Sequence, residues 1–588
     1  MTPGIDTYRV AAIQFEPLLH AKAENIARQL ALVETAAQNG ARLIVLPEMA
    51  TTGYCWHSRD EVRPQVEPIP GPTTAVFGEL ADRYGCYIVV GMPEVAPRTS
   101  IFYNSAALVG PDGFVGTYRK THSYVSELKW AKDGDLGLPV WTTPLGRIGI
   151  MICMDAGYFE PARLLALQGA DVLCFPTNWL GEKSPGPAWL ARAYENGCYL
   201  VGANRYGLER GVQFSGGSCI ANPDGTVQAV LDSGDGIVYG EVSLRAARAK
   251  SFAGGGSPEK MAARRPELYD TMTLNAYLWD PMELHGLYGH RPLPEGRRTP
   301  VAVAQFTPTV GDPAANAAHI ADALAALPTQ HGAVELAVFP EYVLTGMDLH
   351  AALDADALPH WHAQLAGVAQ RFGLHLAVGY AEREGDAAFS ALALVGPHGV
   401  VASYRKTHVI GAERSWCSAG AAKPPIIDLP LGRVGLLVGT DLAFPEMARA
   451  LAIEGCDLII AAAGASLPPV QAAPATVVPL DPPEHMAANP HYFHLVRQRA
   501  VENNTYIAFA SLPAPDGIGC SAVFGPDRAE ETVLSPGEAG VAVRMIDTMH
   551  TDTPYPCIAE VRAKMLVGMR QPYLYDPLQQ AGAWKPAP

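Results

Sequence analysis

The chain lacks a cysteine framework. Its ten cysteines are spread over 588 residues with no regular spacing and no CxxC pair. That excludes both a disulfide-stapled scaffold and a zinc ribbon. It also lacks basic excess: the formal net charge is -16, which leaves no basic face for a nucleic-acid backbone. No apolar run reaches the length needed to cross a bilayer. The N-terminal MTPGIDTYRVAAIQF lacks a basic region followed by an apolar stretch, so no secretory signal is expected. Charged residues are scarce at 17% against 48% hydrophobic, a globular balance rather than a disordered one. A cytoplasmic protein is expected, with neither a nucleic-acid nor a membrane partner.

What is present is repetition. The length alone calls for two or more domains. YRVAAIQFEP (Tyr8 to Pro17) returns as PVAVAQFTP (Pro300 to Pro308), and ARLIVLPEMATTGY (Ala41 to Tyr54) as VELAVFPEYVLTGM (Val334 to Met347). GTYRKTHSYVSE (Gly116 to Glu127) returns as ASYRKTHVIGAE (Ala402 to Glu413), and RAYENGCYLVGAN (Arg192 to Asn204) as RAVENNTYIAFAS (Arg499 to Ser511). The halves close on RRPELY (Arg264 to Tyr269) and RQPYLY (Arg570 to Tyr575). So long a period means a duplicated domain rather than a solenoid. The expected division is a first domain over 1–270, a Gly-, Pro- and Arg-rich linker over 271–298 and a second domain over 299–588.

Within the first half, VAAIQF, RLIVLPE, YIVVGMP, NSAALVG, RIGIMIC and DVLCFPTN are β-branched or apolar runs of strand length. AENIARQLALVETAAQNG and EPARLLALQGA have helical spacing. Alternating strands and helices imply an α/β layered domain.

Three reactive residues stand where strands end. Glu48 follows LIVLP, Lys120 follows PDGFVGTYR and Cys153 ends IGIMI. Singly, each has an ordinary reading: a small buried hydrophobe for the cysteine, solvated charges for the other two. Together they make a chemical set: a thiolate to attack a carbonyl-like carbon, a carboxylate to move protons and an ammonium to stabilise an oxyanion. The set calls for no metal and no cofactor.

LPEM around Glu48, YRKTH around Lys120, ICMDAGYFEP around Cys153 and RRPELY near the end of the half together resemble the nitrilase superfamily of carbon–nitrogen hydrolases, twice over. The resemblance implies two tandem αββα sandwiches and a Glu–Lys–Cys triad. Carried over by position, Glu48 is the general base, Cys153 the nucleophile and Lys120 the stabiliser of the tetrahedral intermediate. Glu127 matches a second glutamate that orients the lysine or substrate, and the Met154 backbone N–H completes the oxyanion site. Tyr54, Asn178 and Trp179 are placed near the substrate. Met154 and Asp155 stand where nitrilases proper carry Trp-Glu, and the YRKTH form is amidase-like. The expected reaction is therefore hydrolysis of a non-peptide amide through a cysteine acyl-enzyme, releasing an acid and ammonia or an amine. Nitrile hydrolysis, N-carbamoyl hydrolysis and acyl transfer through the same cysteine remain alternatives. After the cysteine the chain reads Tyr158-Phe159-Glu160-Pro161, against Phe444-Pro445-Glu446 in the second half, so a remodelled loop is expected there.

In the second half LGRIGIMICMD becomes LGRVGLLVGTD, and Gly439 falls opposite Cys153. Glu341, Lys406 and Glu413 persist, but Gly464 and Ala465 replace Asn178 and Trp179. The expectation is a degenerate site with a retained structural ion pair, in a half that serves as internal pseudo-dimer partner. A further homo-oligomer is compatible with that arrangement. The second half also carries an insertion, at 466–490, rich in Pro and Ala.

Overall fold

A computed structural model describes residues 6–180, 184–252, 257–275, 294–327, 332–464, 491–526, 532–549, 561 and 564–586. The 466–490 insertion, Ala465 and most of the expected linker lie outside the described residues. The chain forms two compact units. One holds the described residues through Ala262 together with the C-terminal tail from Tyr573; the other runs from Ala263 to Gly464 and from Tyr492 to Pro572.

In the first unit, strands β1 (Thr7–Gln14), β2 (Leu43–Val45), β3 (Tyr87–Val95), β4 (Phe102–Gly110) and β5 (Gly113–Arg119) build one sheet. Strands β6 (Val140–Thr143), β7 (Gly146–Ile150), β8 (Val172–Thr177) and β9 (Tyr199–Asn204) form the other, after which β10 (Tyr206–Glu209) and β11 (Val212–Ser215) make a separate ribbon. The chain then adds β12 (Ser218–Ala221) and β13 (Val227–Leu231) to the second sheet and β14 (Gly236–Ser243) to the first. The sheet orders are β14-β1-β2-β3-β4-β5 and β13-β12-β9-β8-β7-β6. β1, β2 and β3 run parallel, as do β7, β8 and β9.

Helices α1 (Lys22–Gln38) and α2 (Pro72–Tyr84) cover one face of the first sheet. α1 buries Asn25, Gln29, Val33 and Ala36, a single stripe at helical spacing. α2 opens on a proline and stops at Gly85, whose φ of 61° an ordinary residue resists. Their apolar stripes meet Ala11, Ile13, Ile44, Ile88 and Val90. Strand alternation turns Val10, Ala12, Leu43, Val45 and Val89 to the opposite face. All five are fully buried, because that face packs inside the sandwich. Helices α3 (Phe159–Leu167) and α4 (Pro187–Asn196) belong to the layer beyond the second sheet.

The second unit repeats the plan. Val301, Val303, Leu336 and Val338 of one sheet share a core with Leu436, Val438, Leu458 and Ile460 of the other. On the outer face Ala302 and Ala304 pack against Ile320, Leu324, Leu365 and Ala369 of its helices. The αββα sandwich expected from the sequence is present in each half.

Membership of the units cuts across the repeat. RRPELY, which closes the first half, belongs to the second unit, and Tyr575, the last residue of RQPYLY, belongs to the first. In the first unit the tail is pinned at its far end, where Lys585 N–H donates to Leu167 O at 2.7 Å and Arg147 Nη1 donates to Lys585 O at 2.8 Å. Among the described residues no helix is long and apolar enough to cross a membrane.

Candidate active site

The three reactive residues leave the ends of strands in both sheets of the first unit. Glu48 stands three residues beyond β2, and Lys120 follows β5 directly. Cys153 opens a 3₁₀ turn, Cys153–Gly157, just past β7. Carboxyl ends of parallel strands are where open α/β sheets present functional groups. Cys153 has a φ of 45°, a left-handed backbone that costs a non-glycine residue about 1 kcal/mol or more. The surrounding bonds over-determine that turn. Asp155 Oδ2 accepts from Ile152 N–H at 2.8 Å and from the Tyr118 hydroxyl at 2.7 Å, while Oδ1 accepts from His122 N–H at 3.0 Å. One carboxylate thus ties the cysteine turn to the loop that carries Lys120.

Lys120 Nζ donates to Glu48 Oε1 at 2.8 Å and to Glu127 Oε1 at 2.5 Å, with all three side chains buried. The Tyr54 hydroxyl donates to Glu127 Oε1 at 2.7 Å, and Asn104 Nδ2 donates to Glu48 Oε1 at 2.7 Å. Burial works against the Lys120 ammonium, but Glu127 and Glu48 outweigh it and hold the group well above the usual lysine range. Burial, helped by the Glu48 charge, pushes the Glu127 carboxyl up to about 7 against the pull of Lys120 and the hydrogen bonds it accepts from Lys120 and Tyr54. Burial and the Glu48 charge also push the Cys153 thiol up, opposed by Lys120, the Thr177 side chain and the Asn178 backbone N–H. Cys153 therefore rests as a neutral thiol and needs a base before it can attack.

The weaker candidates separate. Asn178 follows β8 and is 1% exposed. Both polar atoms of its side chain, and Glu48 Oε2, have no partner among the described residues. Met154, partly buried, is the next residue on the cysteine turn. Tyr54 reaches the cluster through Glu127. The Trp179 ring instead joins an aromatic group, edge-on to Trp189 at 5.8 Å and to Phe175 at 6.2 Å. The loop after Cys153 is not remodelled. Tyr158 stacks on His122 at 4.2 Å just as Phe444 stacks on His408 at 4.1 Å, and the helices start at Phe159 and Pro445. Tyr-Phe-Glu simply stands in for Phe-Pro-Glu without a shift.

Asn104, Arg205 and Glu209 were not singled out by the sequence. Glu209 Oε1 accepts the backbone N–H groups of Tyr54 and Cys55 at 2.9 and 2.6 Å, and Oε2 accepts from Arg205 Nη1 at 2.9 Å. The Arg205 guanidinium lies over the Phe214 ring at 4.2 Å, and Phe214 meets Tyr54 edge-on at 6.0 Å. This group fixes the loop that carries Tyr54.

The second unit keeps the charged cluster. Lys406 Nζ lies 2.8 Å from Glu341 Oε1 and also bonds Glu413 Oε1, all buried. Ser390 Oγ replaces Asn104 as donor to Glu341, at 2.6 Å. Gly439 holds a φ of 51° at the place of Cys153 and presents no side chain. Thr440 directs its hydroxyl to the His408 carbonyl.

A four-layer sandwich with a buried Glu–Lys pair and a cysteine at the strand ends is the frame of a hydrolase of carbon–nitrogen bonds other than peptide bonds. The chain belongs to the carbon-nitrogen hydrolase family, which it matches over residues 9–251 and again over 300–552. It is 38% identical over 244 residues to "Nitrilase" of Pyrococcus abyssi, covering 41% of this chain and 92% of that protein. To "N-carbamoylputrescine amidase" of Solanum lycopersicum it is 32% identical over 289 residues, covering 45% of this chain and 94% of that protein. Among solved structures, Nit3 of Saccharomyces cerevisiae, described as a member of branch 10 of the nitrilase superfamily, is 26% identical. That match covers 42% of this chain and 93% of the other, with a TM-score of 0.38.

Proposed function

We propose that the first half hydrolyses a small non-peptide amide through an acyl-enzyme on Cys153. The observation that carries the reading is the buried Glu48–Lys120–Glu127 cluster together with a cysteine on a strained turn. Glu48 takes the thiol proton as sulfur attacks the amide carbon. Lys120 and the Met154 N–H meet the oxygen as it gains negative charge. Glu48 then returns the proton to the departing nitrogen, so ammonia or an amine leaves. Water, activated by Glu48, releases the acid and restores the thiol. Glu127 holds the Lys120 ammonium in place.

The unpartnered Asn178 amide and Glu48 Oε2 favour an amide over a nitrile. An amide nitrogen has hydrogens to offer buried acceptors, whereas a nitrile has none and leaves those groups unsatisfied. "Omega-amidase NIT2" of Homo sapiens, 29% identical over 256 residues, is named for amide chemistry, which agrees with this choice. The second half, with glycine at position 439, takes no covalent step. Its Glu341–Lys406 pair is a structural ion pair, and the half serves as internal pseudo-dimer partner. Glutathione-reduced cytoplasm suits a chain whose described cysteines are all free thiols.

The test is turnover of panels of small amides, N-carbamoyl compounds and nitriles, with acid, amine and ammonia measured, on the wild-type protein and on Cys153→Ala. An adduct on Cys153 by intact mass and its absence in Cys153→Ala are expected. Activity surviving in Cys153→Ala sinks the mechanism. Nitrile turnover without amide turnover reverses the substrate class.

A further inference from the structure

Tyr575 enters the first unit from the far end of the chain. Its hydroxyl lies 2.9 Å from His122 Nε2, across 453 positions of sequence. His122 is 2% exposed. Its other ring nitrogen, Nδ1, lies 3.1 Å from Asp155 Oδ1 and 3.0 Å from the Thr121 hydroxyl. A carboxylate can only accept, so Nδ1 carries the proton that faces Asp155. In the neutral ring Nε2 then accepts from the Tyr575 hydroxyl. The ring is also clamped face-on by Tyr158.

We infer that Tyr575 is a positioning residue for the reaction proposed above, acting on Cys153 and Lys120 through His122 and Asp155. Asp155 binds the N–H of Ile152, immediately before the nucleophile, and the N–H of His122, two residues after the lysine. Both reactive side chains therefore hang from one carboxylate. That carboxylate is oriented by the His122 imidazole together with the Tyr118 and Thr121 hydroxyls, and the imidazole is oriented in turn by the Tyr575 phenol. The turn at Cys153 needs such a brace, because its left-handed backbone relaxes unless its surroundings hold it. Without the hydroxyl, Nε2 is left buried and unsatisfied, and the imidazole is free to change tautomer or rotate away from Asp155.

The second unit supplies a matched control. There Tyr269 Oη lies 2.7 Å from His408 Nε2, and His408 Nδ1 lies 2.8 Å from Asp441 Oδ1. The same brace surrounds Gly439, where no thiol hangs from it. Removing either hydroxyl deletes its bond to the histidine, and the Tyr269 hydroxyl also accepts the Arg265 N–H at 3.0 Å, but only Tyr575 stands behind a nucleophile.

The full-length chain, Tyr575→Phe and Tyr269→Phe are compared for thermal midpoint, kcat, KM and the rate of Cys153 alkylation by iodoacetamide over a pH series, followed by peptide mass. Similar losses of thermal midpoint are expected in both variants. Tyr575→Phe alone is expected to lower kcat about tenfold with KM changed less than about twofold, the scale of one buried hydrogen bond. It is also expected to move the pH profile of Cys153 alkylation. Tyr575→His, which returns a ring donor, should recover part of the kcat. An unchanged kcat and alkylation profile in Tyr575→Phe, or an equal kcat loss in Tyr269→Phe, overturns the inference. If no amide, carbamoyl compound or nitrile is turned over, the proposed function fails by itself, and the alkylation comparison still reads the brace.

Discussion

Tyr342 donates its hydroxyl to Glu413 Oε1 at 2.6 Å from the position directly after Glu341, whereas in the first unit Tyr54 reaches the matching Glu127 from six residues beyond Glu48. The bond is kept and its route has changed. Tyr342 is fully buried, and its ring lies 5.8 Å from Lys406 Nζ. A Cβ added at Gly464 would come within 3.5 Å of that ring and 3.2 Å of Glu341 Oε2. The ring therefore fills space beside the position that corresponds to Asn178.

Gly439→Cys is accordingly expected to fold without gaining a second active site. Its backbone already matches that of Cys153, with φ of 51° against 45°, so the turn itself need not move to carry a cysteine. Substrate access beside Tyr342 is what is missing. Titration of acyl-enzyme should give one site per chain, as in the parent. A doubled titre would show that the second pocket is still open.

The buried charged cluster and its cysteine were legible in the sequence because they sit in short strings with strong local character. LIVLPE and IGIMIC each announce a buried strand that ends on a reactive group, and YRK closes an edge strand of which only Tyr118 is buried. The layers were legible for a similar reason, since helix and strand periods alternate. The exchange of tails was not. RRPELY and RQPYLY are near copies, and nothing within either phrase says which unit it packs on. Tyr342 escaped notice because position-by-position alignment sets it opposite Met49 and sets Tyr54 opposite Met347. Glu209 gave no signal because the loop it fixes lies 155 residues earlier.

That long-range bond makes a stability prediction. Arg205 and Glu209 are 1% and 6% exposed as side chains. Removing one charge of a buried pair leaves the other without compensation, at a cost of about 3 kcal/mol. Glu209→Gln keeps an acceptor for the Tyr54 and Cys55 N–H groups but strands the Arg205 guanidinium. A fall of roughly 5–10 °C in the thermal midpoint of the first transition is expected. Arg205→Met combined with Glu209→Gln should recover more than half of it, since no lone charge then remains. A double variant as unstable as Glu209→Gln would show that the loss comes from packing rather than charge.

Glu127 makes the last prediction, through pH. Burial raises its carboxyl from the usual range to about 7, so the folded chain holds this proton more tightly than the unfolded chain does. Between the unfolded value near 4.5 and the folded value near 7, the native state binds more protons at this site. Stability from the site therefore falls as pH rises through that window, is fully present below it and is flat above it. Glu127→Gln mimics the protonated form and cannot titrate. Its thermal midpoint relative to the parent should rise across the window and level off above about pH 7. Comparing variant with parent cancels the other titrating groups, so the slope of the difference reports this residue. A difference that is flat across the window, or that falls with pH, would mean that Glu127 is ionised throughout and that Lys120 outweighs burial.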